Sequence, residues 1–358
     1  KNQREMTPDT KIRIASISKV VVAMCALAMA EDGLLDLDAP LSTYWGAKAV
    51  NPFSKSQPTV QDLMTHTSSL KNLEPVKGLS RLRGLLNSRS SWRTMEPGNG
   101  GYWAYSNFGV CVLGTTLELA AQQTLDDYLQ KRFLEPMGIR ASFLGGRLNE
   151  DEVATLYTTG GIGRTAAAHA GQSVPKDIGG ASLYFAGGYT TSAVDMAKLV
   201  SVLVNDGVYL EPVELAVEPA QAGAEEAVPQ EETAPVEGVD YIIVERANGK
   251  FRETRYLSEE SVQNMETPRF KVDLKDYAPF EQCLVLRRQE NVMGQEVLYY
   301  HTGSAYGVFS LMTYNPITRN GVVVITTGTP RNMNEHGMYA LCYDLMELLY
   351  TKMEADSL

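Results

Sequence analysis

Hydrophobic and polar positions divide this chain into a front with helical spacing and a back that alternates like strands. The densest apolar run, Val20 to Ala30, follows Ser16 and Ser18 and is closed by Gly33. Hydroxyl residues ahead of an apolar run and a glycine behind it are start and stop signals, so residues 16–32 are predicted to form a helix. Its 11 apolar residues fall short of the about 20 needed to cross a bilayer, and the segment reads as a buried helix. Asp36 to Tyr44 looks like a turn-rich exit, and Val60 to Leu70 a short helix ending in a polar turn. Helical patterns dominate from there to about residue 168, most clearly in Phe108 to Gln122 and Leu125 to Phe133. Thr190 to Asn205 is a further amphipathic helix, capped at Thr191 or Ser192.

Period-two alternation comes late in the chain. Tyr241 to Glu245, Glu296 to His301, Gly307 to Tyr314 and Gly321 to Thr327 read as strands, the last two joined by a turn at Asn315 to Asn320. They predict an antiparallel sheet, and Asn334 to Met353 closes the chain as an amphipathic helix. The expected fold class is α+β. A discontinuous sheet domain is drawn from residues 1–45 and 170–358, and a mainly helical subdomain from 46–169. No internal repeat is present.

Charge changes this picture in one place. The chain has 32 basic and 43 acidic residues, a net charge of −11. Residues 211–238 alone hold eight glutamates and four prolines with no basic residue. Such a segment cannot bury enough apolar surface to offset its ordering entropy, so it is expected to be a mobile surface insertion. No lysine/arginine block exists to neutralise a run of phosphates, which argues against nucleic acid as a partner. The four cysteines form no C-x-x-C, and the four histidines, His66, His169, His301 and His336, show no helical i, i+4 pair. No metal and no cofactor is expected, and His66 and His169 are read as structural.

Three short motifs carry candidate chemistry. Ser16-Ile17-Ser18-Lys19 sets a hydroxyl and an amine one turn apart on one helix face. A serine becomes a competent nucleophile when a base takes its proton, and a lysine desolvated near a helix N-terminus can be that base. A second S-x-x-K, Ser173 to Lys176, contains Pro175 in a loop-like setting, so the spacing alone decides little. Tyr105-Ser106-Asn107 leads into an apolar helix; the tyrosine can relay protons and the asparagine amide can hold a substrate carbonyl. His301-Thr302-Gly303 ends a strand, where glycine would let a substrate backbone lie close and strand amides could face a developing oxyanion. Taken singly, each has a plain structural alternative: a helix cap, a core aromatic, a strand end.

Their order along the chain is more informative. S-x-x-K near the start, Y-x-N in a helical middle and H-T-G on a late strand resemble the serine β-lactamase and penicillin-binding-protein family. The branch is the one in which Y-x-N replaces S-D-N, holding class C β-lactamases, D,D-carboxypeptidases, D-aminopeptidases and esterases. RIASISKVVVA, EDGLLDLDAPLSTY, VQDLMTHTSSL, YSNFGVCVLG, FLEPMGI, FAGGYTTSAVDMAKLV, YLSEESVQNM and YYHTGSAYG also resemble family blocks, in family order.

The resemblance implies an antiparallel sheet flanked by helices plus a helical subdomain, with the site at their junction. It implies Ser16 as the acylated nucleophile, Lys19 as its base and Tyr105 as the second member of the proton relay. Asn107 would bind the substrate amide, and His301, Thr302 and Gly303 would line the edge strand and recognise a carboxylate. The backbone N–H groups of Ser16 and Ser304 would form the oxyanion hole. Lys19 and Tyr105 should both reach the Ser16 hydroxyl, with His301 in the same cleft.

Three departures modify that expectation. Only 15 residues precede Ser16, so the family's N-terminal strands are expected to be absent from this chain, which opens on Lys1 without a recognisable leader. His301 stands where most β-lactamases of the branch have lysine, which weakens positive charge there and points toward peptidases. The place of the 211–238 insertion in the family fold is not implied. A serine hydrolase forming an acyl-enzyme on an amide or ester is expected, with a D-amino-acid peptide as substrate. A β-lactamase or esterase, and a non-catalytic penicillin-binding sensor, are the alternatives. Family substrates imply an extracytoplasmic location and a small-molecule or peptide partner.

Overall fold

Residues Ser18 to Met29 are all buried, which explains why the apolar run shows no polar stripe: this helix lies at the centre of the core. The computed structural model describes residues 5–98, 102–213, 240–246 and 249–356. In it the central helix α1 (Ser18–Glu31) is entered directly from a 3-10 turn, Ala15–Ile17. Neither Ser16 nor Ser18 caps it with its side chain. The Ser18 hydroxyl instead donates to the Ala15 carbonyl at 2.6 Å and accepts from the Tyr189 N–H at 3.0 Å, tying the turn to residues 181–191.

Helix α2 (Asn107–Ala121) packs on α1, with Ser106 as its cap: the Ser106 hydroxyl accepts from the Gly109 N–H at 2.9 Å. Helix α3 (Ala193–Val204) starts at Ser192, whose hydroxyl accepts from the Asp195 N–H. The last helix, α4 (Ala340–Asp356), begins six residues later than the sequence pattern suggests. The cause is Asn334, whose side-chain oxygen accepts from the N–H groups of His336 and Met338 and holds that stretch as a turn.

The main sheet is an antiparallel meander of six strands in chain order: β1 (Phe270–Val272), β2 (Phe280–Gln282), β3 (Arg287–Val292), β4 (Gln295–Ala305), β5 (Val308–Asn315) and β6 (Asn320–Thr327). Alternate residues face opposite sides. Leu298, Leu311, Val322 and Val324 meet Met346 and Tyr350 of α4, while Tyr299, Met312 and Tyr314 join the core around α1. Strand β4 pairs with β3 only as far as Tyr300; from His301 to Ala305 its one partner is β5, so its end has an open edge. That open end carries the H-T-G motif.

Several elements depart from the sequence reading. Strands β1 to β3 went unforeseen because their polar, charged segments (EQ, RRQEN) lack an apolar period. A hairpin, Leu156–Thr158 with Gly161–Arg164, sits in the stretch read as helical. The strand foreseen at 241–245 belongs to a separate three-stranded sheet, where Gly249–Arg255 lies between Val208–Pro212 and Ile242–Arg246. Residues 214–239, most of the acidic segment for which mobility was expected, lie outside the described residues.

Candidate active site

Ser16 is positioned by backbone contacts on two sides. Ile12–Arg13 pairs with Thr190–Thr191, and the Ile14 N–H donates to the Tyr189 carbonyl at 3.0 Å. From the sheet side, the Ser310 hydroxyl donates to the Ile14 carbonyl at 2.8 Å. Ala15 then takes φ +53°, a left-handed conformation that costs a non-glycine residue energy and turns Ser16 out at the head of α1. Gly303 is what admits this turn. A Cβ there would lie 2.3 Å from Ser310 Oγ, 2.4 Å from the Ile14 oxygen and 3.2 Å from Ser16 N. The glycine of the H-T-G motif thus makes room for the turn that carries Ser16, where a substrate backbone was expected.

Lys19 is fully buried one turn along α1. Its ammonium donates to Ser16 Oγ at 3.1 Å and to the Ala186 carbonyl. Tyr105, from the loop before α2, lies within hydrogen-bonding reach of both Lys19 and Ser16. Burial pushes the Tyr105 phenol up, but the Lys19 charge, the hydrogen bonds from Lys19 and Ser16, and the Arg287 charge outweigh it, and its pKa falls below the ordinary 10.0. A phenolate is thereby made more accessible beside a serine hydroxyl. Behind it stands His66, whose ring centroid is 4.5 Å from that of Tyr105. Burial first, then the Lys19 and Arg287 charges, keep His66 neutral, its pKa well below 6.5. His66 is therefore an uncharged plate under the phenol, a role that sequence could not give it because its partner lies 39 residues away.

Two clefts meet at Ser16, and Ser16 and Ser304 line both. The larger, about 360 Å³, is walled by Tyr105, Phe280, Arg287, Tyr300, Thr302 and Tyr339, among others. The smaller, about 190 Å³, includes Arg13, Asn107, Leu183 and Ala305. Asn107 is fixed as the first residue of α2, where the Asn72 side-chain oxygen accepts from the N–H groups of Asn107 and Phe108.

His301 differs from its expected place. Tyr300, Thr302 and Ser304 face the clefts, so His301 between them points inward; it is 2% exposed and lines neither cleft. Its Nδ1–H donates to the Thr302 carbonyl at 2.7 Å. Burial, then the Arg287 and Lys19 charges, hold its pKa well below 6.5, so it supplies no positive charge. Two arginines, Arg287 and Arg331, line the larger cleft; Arg287, the one beside Tyr105, is the register partner of Tyr300, set 4.6 Å from the Phe280 ring centroid and about 6 Å from those of Trp103 and Tyr105. Sequence reading missed Arg287 because nothing in RRQEN marks which arginine faces inward. His336 and Tyr339, placed in a helix by pattern, also line this cleft. Among the described residues no three His, Cys, Asp or Glu side chains are arranged to hold a metal ion.

The family model described as Beta-lactamase matches residues 1–343. The chain belongs to the beta-lactamase family. Among its curated relatives, a lovastatin esterase of Penicillium rubens is 27% identical over 233 residues, covering 57% of this chain and 58% of that protein. Esterase EstB of Burkholderia gladioli is 30% identical over 38% of this chain and 39% of its own length. The D-alanyl-D-alanine-carboxypeptidase/endopeptidase AmpH of Escherichia coli is 26% identical over 37% and 36%. In each case the chain spans less than two thirds of the relative.

Solved structures agree on the fold of this beta-lactamase-family chain. An octameric penicillin-binding protein homologue from Pyrococcus abyssi superposes with a TM-score of 0.64 at 21% identity, covering 96% of this chain and 67% of that one. A class C beta lactamase from Rhodobacter sphaeroides gives 0.62 at 19%, covering 98% and 88%. The fold is therefore the β-lactamase/transpeptidase-like one, with helices about antiparallel sheets. None of the helices described is long and apolar enough to cross a membrane.

Proposed function

We propose that this chain is a serine hydrolase that acylates Ser16 and acts on amides or esters whose leaving group carries a carboxylate, as in a peptide ending in a D-amino acid. The observation that carries the reading is the 3.1 Å contact between Lys19 Nζ and Ser16 Oγ, with Tyr105 in reach of both. Ser16 Oγ attacks the carbonyl while its proton passes to the Tyr105 oxygen, which reacts as the phenolate that the Lys19 charge favours. The oxyanion that forms lies toward the Ser16 and Ser304 N–H groups, and collapse expels the leaving group, which Tyr105 protonates. Water then enters, gives a proton back through the same oxygen and releases the acid. The buried Lys19 charge holds the relay electrostatically throughout.

Arg287 supports the carboxylate preference. It stands in the larger cleft beside Tyr105, where the leaving group must be protonated, and Thr302 lies on the same wall. A guanidinium there replaces the charge that His301 lacks, and a charged hydrogen bond of this kind is worth about 1.5–3 kcal/mol. Esterase relatives favour a second reading, ester hydrolysis without a charged leaving group, and the aromatic walls of the cleft suit it. Steady-state turnover of an N-acyl-D-alanyl-D-alanine peptide against its C-terminal amide decides between them. The first reading expects the free carboxylate to be preferred and the preference to vanish in Arg287→Gln. Equal rates would leave the esterase reading. The family's substrates also lead us to place the protein outside the cytoplasm, which fractionation with an epitope-tagged native gene tests.

A further inference from the structure

The two clefts assign opposite ends of the substrate. Tyr105 must touch the leaving group to protonate it, and it lines the larger cleft and not the smaller one. The acyl part therefore lies in the smaller cleft. That space, about 190 Å³ against about 360 Å³ for the larger cleft, leaves room for a short acyl chain.

No residue lining this smaller cleft is acidic, and one is Arg13. Arg13 donates from Nε to the Gly187 carbonyl. The other groups acting on its charge are Tyr306, Tyr184 and a second guanidinium, Arg164, with no carboxylate among them. Arg13 and Arg164 both lie against the Tyr306 ring, their guanidinium carbons 5.1 and 5.7 Å from its centroid. Two half-buried like charges beside an open cleft repel one another, and an incoming anion relieves that repulsion. A guanidinium stays charged through any accessible pH, so the demand for an anion persists.

We infer that the smaller cleft selects acyl groups ending in a carboxylate, with Arg13 as the contact and Arg164 adding to its field. The inference rests on Ser16 being the acylated residue. It makes the preferred substrate charged at both ends: a carboxylate on the leaving group toward Arg287 and another on the acyl group toward Arg13.

The test compares mono-p-nitrophenyl adipate with its distal methyl ester. They share a leaving group and differ only in acyl charge. Wild type should favour the free acid by about tenfold in kcat/KM, the low end of a charged hydrogen bond. Arg13→Gln should bring the ratio to about one, and Arg164→Gln should lower it part of the way. Since both esters are read on one preparation, partial loss of folded enzyme cancels in the ratio. A wild-type ratio of one or less overturns the inference, as does a ratio unchanged in Arg13→Gln. If Arg13→Gln does not fold, Arg164→Gln carries the comparison, and an unchanged ratio there counts equally against it. Hydrolysis that persists in Ser16→Ala, or none in wild type, instead removes the reading of Ser16 and this inference with it.

Discussion

Replacing Gly303 by alanine adds one methyl group at the point where the sheet meets the turn that carries Ser16. Its Cβ would fall 2.3 Å from Ser310 Oγ and 2.4 Å from the Ile14 oxygen, both far inside contact distance. Ser310 can rotate away, but doing so breaks its hydrogen bond to Ile14. The Ile14 carbonyl is backbone and carries Ser16 with it. Overpacking of this kind costs about 1–3 kcal/mol. Relief comes mainly by moving Ala15–Ile17 outward, and a displacement near 1 Å at a reacting atom costs about 10²-fold in rate.

A chromogenic ester read under single-turnover conditions isolates acylation, and a thermal melt reports the stability term. The expected result is a fall of about 10²-fold in acylation rate with a melting temperature lower by a few degrees. The fall should appear even with a small ester that has no backbone to pair along β4, because the damage is to Ser16. Ser310→Gly in the same chain should recover part of the rate by vacating one of the two clashes. If Gly303 served only to admit a substrate backbone, small esters would react at the wild-type rate and only extended substrates would suffer. That outcome would refute the packing argument.

Other consequences follow from single groups. Tyr105→Phe should slow acylation by about 10²–10⁴-fold and remove the phenol that ionises below 10.0 in an ultraviolet pH titration; a titration identical to wild type would refute the shift. Glu118 is fully buried and lifted to about 7, burial outweighing the hydrogen bonds it accepts from Gly179 and Leu125. Its raised pKa means that the folded state holds an extra proton between the ordinary 4.5 and about 7. Stability should therefore fall as pH rises through that window, by up to about 3 kcal/mol. Denaturation midpoints for Glu118→Gln should slope less over the same range, and an equal slope would contradict this account. His301→Lys would put a charge where burial and two cations already disfavour one, and should lower the melting temperature without improving carboxylate binding; tighter binding at unchanged stability would show that His301 faces the substrate after all.

How much was legible in advance depended on how local each signal is. Ser16 and Lys19 lie three residues apart on one helix, so their chemistry can be read from spacing, and Tyr105 follows from its loop before an apolar helix. The packing at Gly303 was not legible, because its neighbours, Ile14 and Ser310, come from other parts of the chain. His301 was misread in orientation: strand alternation places it inward only once Tyr300 and Thr302 are known to face the cleft. Arg287 left no trace in the pattern, since it works through three aromatic rings gathered from residues 103, 105 and 280. The strands that went unforeseen are polar ones whose stability comes from neighbours in the sheet rather than from their own alternation.

The central claim is that Ser16 is an activated nucleophile, and intact-protein mass spectrometry after exposure to a fluorophosphonate tests it most directly. The account predicts one adduct on wild type, mapped to Ser16, its formation greatly slowed in Lys19→Ala and absent in Ser16→Ala. An adduct of equal yield in Ser16→Ala, or a folded wild-type protein that takes none, would contradict it.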